Sequence, residues 1–348
     1  MLNESKKNIR ELSENELISF FLEKGEKKFR GKQVYEWLWK KNCSSFDEMT
    51  NLSKETRNLL ETNFVLPKVK VNTLQKSKDK TLKIAFELHD KHFVEGVLIP
   101  AKNRATACIS SQIGCKLGCT FCATAKIPFK RNLTAGEIYD QITYLQEKAQ
   151  SAYNLSLSNI VFMGMGEPLM NYENVLRAID IATSEKGLGI SNRRITLSTV
   201  GIPEKIKQLA DDGVRFNLAV SLHSAKEETR NKIAPINKKY NLRELTNALK
   251  YFYTKTENRI TIEYLLLDKV NDSLEEAKAL AAFCKNFPVK INLIEYNDTG
   301  DSKFKKSTQE QTDQFKKFLE EKNMIVNIRR SRGEDIDAAC GQLANKTT

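Results

Sequence analysis

From residue 101 onward, strand-like runs alternate with helix-like runs, and this alternation restricts the fold more than any other property of the chain. Strand-like runs occur at TACISS, NIVFMG, RRITLS, RFNLAVSL, RITIEYLLL, VKINLIEY and MIVNIR. Helical runs such as AGEIYDQITYLQEKAQ and SLEEAKALAAFCKNF lie between most of them. Such alternation implies parallel strands joined by crossover helices. Six or so units fall short of a closed eightfold barrel, so the α/β expectation is a partial barrel or an open sheet. Either one places ligands at the C-terminal ends of the strands. Polar residues collect there: GMGEP (164–168) after NIVFM, Ser198 and Thr199 ending RRITLST, Ser221, Leu222 and His223 ending RFNLAVSLH, and Asn297 after VKINLIEY.

The first hundred residues read differently. Residues 10–62 are helical in pattern, and FRGKQVYEWLWKK places Val34, Trp37 and Leu38 on one predicted buried stripe. Basic residues crowd the same stretch: Lys24, Lys27, Lys28, Arg30, Lys32, Lys40 and Lys41. Pro67 marks a break. KVKVNTLQ, KTLKIAFELHD and KHFVEGVLIP then read as a strand meander. The expected organisation is a helical module over 1–66, a β-rich connector over 67–100 and an α/β core over 101–348. The net charge of +12 favours polyanionic partners such as nucleic acid, or simply a well-solvated surface. Neither a membrane span nor a signal peptide is legible, so a cytoplasmic protein is expected.

Chemistry is announced by CISSQIGCKLGCTFC, in which Cys115, Cys119 and Cys122 are spaced C-x3-C-x2-C. Three clustered thiols can hold a metal centre with one position left for chemistry. The centre is either an iron–sulfur cluster with one open iron or a catalytic zinc. Zinc would want a further protein ligand, and no histidine lies between His92 and His223. The remaining cysteines are Cys43, Cys108, Cys284 and Cys340. An odd total of seven in a reducing compartment argues against a disulfide framework. Cys284, in ALAAFCKNF, reads as core; Cys43 reads as incidental.

C-x3-C-x2-C after a first strand, with GMGEP after the next, resembles the radical S-adenosylmethionine superfamily. RSRGEDIDAACGQLA (330–344), together with GMGEPLMN, SLHS, APINKKYN, EYLLLDKVNDS and KINLIEYN, is similar to the RlmN/Cfr family of RNA adenosine methyltransferases. FRGKQVYEWLWKK extends the likeness into the helical module. The resemblance implies a partial (β/α)6 barrel, a small N-terminal domain of helix-hairpin-helix type that binds RNA, a [4Fe–4S] cluster on Cys115, Cys119 and Cys122, and two S-adenosylmethionine molecules per turnover. Gly166, Glu167, Ser198, Ser221, Leu222, His223 and Asn297 would hold the cosubstrate.

The same resemblance assigns catalysis to Cys340, Cys108 and Glu95. Cys340 would take a methyl group, Cys108 would help remove the ring proton and release the product through a transient disulfide with Cys340, and Glu95 would accept a proton. The implied substrates are 23S rRNA and tRNA, with a flavodoxin or ferredoxin as electron donor and a monomeric enzyme. GEPLMN and FRGKQVYEWLWKK favour methylation at adenine C2; C8 methylation, the antibiotic-resistance activity of the family, is the alternative. A third reading, from another class, is a nucleic-acid-binding protein with a structural or redox-sensing cluster, which would need neither Cys340 nor the GMGE turn.

Overall fold

The structure is a computed structural model that describes residues 6–300 and 303–344. The outermost residues of the expected 1–66 and 101–348 regions lie outside it. Its centre is a ten-stranded sheet whose strands follow one another almost in sequence order. β1 (Lys70–Lys76), β2 (Leu82–Glu87) and β3 (Phe93–Ala101) form an antiparallel meander. β3 pairs antiparallel with β4 (Arg104–Cys108). From β4 the sheet turns parallel, through β5 (Leu157–Phe162), β6 (Ile195–Thr199), β7 (Asn217–Ser221), β8 (Ile260–Leu266), β9 (Val289–Glu295) and β10 (Val326–Arg329). The expected connector is therefore an extension of the core sheet. The sheet has two free edges, β1 and β10, as an incomplete barrel requires.

Helices supply each parallel crossover. Three further helices precede the barrel: α1 (Glu14–Glu23), α2 (Phe29–Trp39) and α3 (Lys54–Asn63). In the barrel, α4 (Ala135–Tyr153) joins β4 to β5, α5 (Tyr172–Thr183) joins β5 to β6, and α6 (Pro203–Asp211) joins β6 to β7. α7 (Glu227–Ile233) and α8 (Leu242–Thr256) lie between β7 and β8; α9 (Leu274–Cys284) and α10 (Gln309–Glu321) complete the last two units. Local chemistry fixes the starts. Thr134 and Glu137 form a capping box on α4, Asn241 and Glu244 do so on α8, and Ser13 and Glu16 on α1. Helices outside and side chains inside bury the strands on both faces, so β8 is buried at every position. Among the described residues no helix is long and apolar enough to cross a membrane.

In the helical module, α1 and α2 cross closely: a Cβ on Gly31 would stand 2.6 Å from the Ile18 backbone nitrogen. Val34 and Leu38 are buried as expected, but the tryptophan in the core is Trp39, not Trp37. Trp37 is half-buried, donates its indole N–H to Asn51 and carries Lys41 over its ring at 3.9 Å. Trp39 turns towards α4, where the Tyr139 hydroxyl donates to its carbonyl at 2.6 Å. Cys43 is also core, 1% exposed, rather than incidental; Cys284 is core as read.

One ion pair fastens this module to the barrel. Arg10 is 2% exposed and donates to both Asp140 oxygens at 2.8 Å and to the Gly136 carbonyl at 3.0 Å. Its guanidinium also stacks over Trp39 at 4.9 Å. Lys68 adds a second cation to Asp140 at 2.6 Å. Burial alone would raise the Asp140 carboxyl, but Arg10 and then Lys68 outweigh it and hold it below the usual aspartate range. The resulting stabilisation is present above the ordinary aspartate pKa and is lost as pH falls through the depressed one. Asp140→Ala leaves the buried Arg10 and the half-buried Lys68 without their carboxylate. We expect it to lower the unfolding free energy by about 3–5 kcal/mol in urea denaturation at neutral pH. The gap to the unmutated protein should narrow as pH drops below the carboxylate range.

Candidate active site

The C-terminal ends of β4 to β10 open onto one cavity, with the 115–122 loop and the 330–343 tail as its remaining walls. Cys115, Cys119 and Cys122 line it, as do Cys108 from the end of β4 and Cys340 from the tail. Five thiols separated by up to 232 residues in sequence thus share one space. All seven cysteines are free, so the anticipated Cys108–Cys340 disulfide is not a bond of this structure. Cys340 is exposed, and the space it faces is this cavity.

Local backbone geometry builds the wall opposite the loop. Gly166 has φ +95°, and a Cβ there would lie 2.5 Å from the Gln112 Cβ. That close approach lets Gln112 accept from the Glu167 N–H at 2.8 Å. The Glu167 carboxylate in turn accepts from the backbone N–H of Leu169 at 3.1 Å and of Val200 at 2.9 Å. Burial pushes Glu167 up to about 7 against those hydrogen bonds, so an entering cation would find a carboxyl poised to ionise. Ser198 and Ser221 face each other across β6 and β7, their hydroxyl oxygens 3.3 Å apart.

His223 sits at φ +58°, and its Nδ1 accepts from the Leu265 N–H at 3.0 Å. Burial, with Arg230 nearby, lowers its pKa to about 3, so the ring is neutral with its proton on Nε2. Phe121 from the cysteine loop packs edge-on against it, centroids 4.7 Å apart. Asn297 is 2% exposed; its Nδ2 donates to the Cys340 carbonyl at 3.2 Å, while its Oδ1 has no hydrogen-bond partner. Leu222 and Glu95 do not line the cavity. Leu222 is fully buried, and its carbonyl accepts from Arg230. Glu95 is fully buried on β3, paired with Lys83 at 3.4 Å and accepting from the Ala344 N–H at 2.8 Å.

Several charged residues of the site escaped the sequence reading, Arg330 and Arg332 on the cavity wall among them. Arg230, fully buried on α7, donates to the carbonyls of Leu222 and Val200 and to Asn237. It is the cation beside Cys119. Glu263 and Arg329 both line the cavity and pair at 3.4 Å; Asn292 donates to Glu263 at 2.9 Å. Burial pushes the Cys108 thiol up to about 12, and the cavity walls that crowd Cys340 raise its thiol as well, with Arg329 the opposing cation in both cases. The available signal was a charged residue inside an otherwise apolar strand, in RITIEYLLL and MIVNIR.

The donor set fits an iron–sulfur cluster. Burial raises the thiols of Cys115 and Cys119, so both are protonated at neutral pH until a metal centre displaces the protons. Among the described residues no three or more His, Cys, Asp or Glu side chains are grouped as the ligands of one ion would be. A cluster asks less convergence, because each thiolate ligates a different iron. The orphaned Asn297 Oδ1 and Tyr296 hydroxyl on the same wall, with the close backbone approach at Gly166, leave polar groups for an organic cosubstrate beside it.

Comparison with known proteins agrees in both halves of the chain. Residues 7–66 match the N-terminal domain of ribosomal RNA large subunit methyltransferase, and residues 109–281 match the radical SAM superfamily. A probable dual-specificity RNA methyltransferase RlmN of Flavobacterium johnsoniae is 55% identical over 341 residues, 98% of each chain. One from Thermotoga neapolitana is 45% identical over 98% of each chain. The crystal structure of a radical SAM methyltransferase from Sphaerobacter thermophilus superimposes with a TM-score of 0.90 at 36% identity, covering 97% of this chain and 99% of that one.

The Gly166 wall gives a direct test. Gly166→Ala adds a Cβ in a region of φ that disfavours side chains, against Gln112. It should destabilise the fold by about 1–3 kcal/mol, seen as a lowered unfolding midpoint.

Proposed function

The chain belongs to the RlmN family of radical S-adenosylmethionine RNA methyltransferases, and from that premise we propose that it methylates adenine C2. Its substrates in this reading are an adenosine of the peptidyl-transferase centre in 23S rRNA and the adenosine beside the anticodon in tRNA. The observation that carries the methyltransferase reading is the single cavity lined by Cys108, Cys340 and the three loop cysteines, and the choice of C2 over C8 rests on GEPLMN and FRGKQVYEWLWKK. A cluster that served only structure or redox sensing would need neither of the two additional thiols.

The target carbon dictates the chemistry. Adenine C2 lies between two ring nitrogens, so it is electrophilic and has no acidic proton. Polar transfer of a methyl cation to it fails. When bound, the cluster held by Cys115, Cys119 and Cys122 and S-adenosylmethionine supply a transferable methyl group and one-electron chemistry, with two cosubstrate molecules consumed per turnover.

The protein's own part begins at Cys340, whose sulfur accepts the methyl group. After loss of one hydrogen atom, that carbon adds to adenine C2 and links the base to the protein. Cys108 then takes part in removing the C2 proton, and its thiolate attacks the Cys340 sulfur: an S–S bond forms as the C–S bond breaks, and the released carbon takes up a proton to become the product methyl group. Glu95, behind the cavity wall, is the second candidate proton acceptor. Arg329 beside both thiols favours their anionic forms. Gly166, Glu167, Ser198, Ser221, His223 and Asn297 orient the cosubstrate: Glu167 offers a carboxylate to its ammonium, and Asn297 an unpartnered oxygen. Leu222 acts behind the wall, where its carbonyl holds Arg230. The adenine must leave its stack to enter, as bases do in enzymes that work on them. The electron comes from a flavodoxin or ferredoxin, and the enzyme acts as a monomer.

Anaerobic incubation of the reconstituted protein with S-adenosylmethionine, reductant and a 23S rRNA fragment should yield 2-methyladenosine by mass spectrometry of the digested RNA. Formation of 8-methyladenosine instead would transfer the assignment to C8. Absence of both products and of 5′-deoxyadenosine, with the cluster intact, would remove the enzymatic reading. Cys108→Ala should accumulate a covalent protein–RNA adduct through Cys340, visible as a shifted band on denaturing gels. Normal turnover without an adduct would exclude the resolving role of Cys108.

A further inference from the structure

The sequence portrays the 330–344 segment as a short glycine-flanked tail, yet the structure holds it at both ends. On one side, Ala123 donates its N–H to the Gly341 carbonyl at 2.7 Å and Thr124 its hydroxyl to the Leu343 carbonyl at 2.7 Å. Gln342 donates to the Asp298 carbonyl at 2.8 Å, and the Ala344 N–H to Glu95. These contacts belong to the cavity and its loop. The other side is fastened far from the cysteine loop, on the turn between β1 and β2.

That turn and the tail exchange carboxylates. Asp79 of the turn accepts the Gly333 N–H at 3.0 Å and pairs with the Arg332 guanidinium at 3.1 Å. Arg332 also donates to the carbonyls of Asp79 and Pro100, each at 3.1 Å. In return, Asp335 of the tail accepts the Ser77 hydroxyl at 2.6 Å and the Lys78 N–H at 3.1 Å. The turn is itself braced: Thr81 donates its N–H to Asp79 at 2.9 Å, and Ser77 its N–H to the Thr81 carbonyl at 2.8 Å. Gly333 lies at φ +69°, where a Cβ would meet Ala338 at 2.8 Å and Thr81 at 2.9 Å. Neither Asp79 nor Asp335 lines the main cavity.

We propose that Ser77, Lys78 and Asp79 are positioning residues for Cys340, forming with Arg332, Gly333 and Asp335 a two-carboxylate clasp that fixes the root of the tail. The inference rests on the reading of Cys340 as the methyl carrier. Its physical basis is confinement. Only residues 336–340 lie between the clasp and the Gly341 contact, so a segment this short, anchored at both ends, has little freedom left. A sulfur that must meet first a methyl donor and then a ring carbon needs that restriction. A displacement of about 1 Å at a reacting centre can lower a rate by about 100-fold. The antiparallel meander, which contributes no wall thiol, thereby gains a part in the reaction.

The test uses Asp79→Ala and Asp335→Ala, with Asp79→Asn as the conservative control, in the reconstituted full-length enzyme. Amide hydrogen exchange across 333–344 should accelerate by about tenfold or more in the alanine variants. The kcat for RNA methylation should fall by about 10- to 100-fold with KM for RNA unchanged. Cluster content and RNA-independent formation of 5′-deoxyadenosine should be retained, and Asp79→Asn should recover part of both losses. Unchanged tail exchange, or faster exchange with an unchanged kcat, would overturn the proposal. So would loss of the cluster together with activity. If Asp79→Ala does not fold, Ser77→Ala removes only the two hydrogen bonds of one hydroxyl, to Asp335 and from the Asp79 N–H, and is read in the same way. Cys340→Ala is assayed in parallel. Full methylation by that variant would refute the carrier reading itself, whatever the tail exchange shows.

Discussion

The cavity depends on one buried cation. Arg230 has no exposed surface, yet its guanidinium meets the carbonyl ends of two neighbouring strand extensions, Val200 beyond β6 and Leu222 beyond β7. Strand C-termini in a parallel sheet present carbonyls that no following residue satisfies, and a buried carbonyl without a donor is costly. Arg230 satisfies two of them at once and ties the two strand ends together. One turn further along, the Ile233 carbonyl accepts the Thr120 N–H, so the same helix also carries the cysteine loop. Removing the guanidinium would therefore unpair two strand ends, strip Asn237 of its donor and release the helix that seats Cys119. Its pKa falls to about 10 under burial, which still leaves it charged where a cluster with thiolate ligands brings negative charge.

Much of this was legible in the sequence because it depends on short-range pattern. The alternation after residue 101 gave the parallel order, and the polar residues ending NIVFM, RRITLST and RFNLAVSLH marked the cavity. Gly166 and Glu167, Ser198, Ser221, His223 and Asn297 all reach its wall. What was not legible depends on partners distant in the chain. Nothing near Glu95 reveals that its carboxylate is turned to Lys83 and to the Ala344 N–H. Nothing near Arg230 reveals two carbonyl partners on other elements. Trp37 and Trp39 differ by two positions on one helix, and periodicity alone put the wrong one in the core. The docking of α4 decided it, because Tyr139 and Arg10 both need Trp39. Cys43 was misread for the same reason: burial comes from the packed module, not from its neighbours Lys40 and Lys41.

Electrostatics beside the two catalytic thiols centre on Arg329. Arg329 is the cation shared by Cys108, Cys340 and Glu263, and Glu263 holds it by a direct pair. Both thiols are raised above the ordinary cysteine range, so the resting cavity keeps them neutral. A methylated Cys340 has no proton to lose and cannot compete for Arg329. Any anionic character that develops during a reaction then falls on Cys108. In the proposed cycle this asymmetry orders the two sulfurs: the carrier is neutral when the adduct forms, and the cation is free to support the resolving sulfur afterwards.

The net charge of +12 can be apportioned in the same way. Arg10, Arg230 and Arg329 are spent internally on a carboxylate, on carbonyls and on thiols. The surplus sits outside, and part of it is the exposed set Lys24, Lys27, Lys28, Lys32, Lys40 and Lys41 on the helical module. Phosphate contacts of that kind give affinity and register but no base recognition. They are useful to a catalyst only if the surface that carries them is fixed relative to the site. The Arg10–Asp140–Lys68 cluster provides that fixity: it joins the module to α4, the helix that follows the cysteine loop. If RNA is gripped by the module, the grip is transmitted to the cavity through a buried, multiply hydrogen-bonded ion pair. A flexible linker would have left the target nucleotide free to wander.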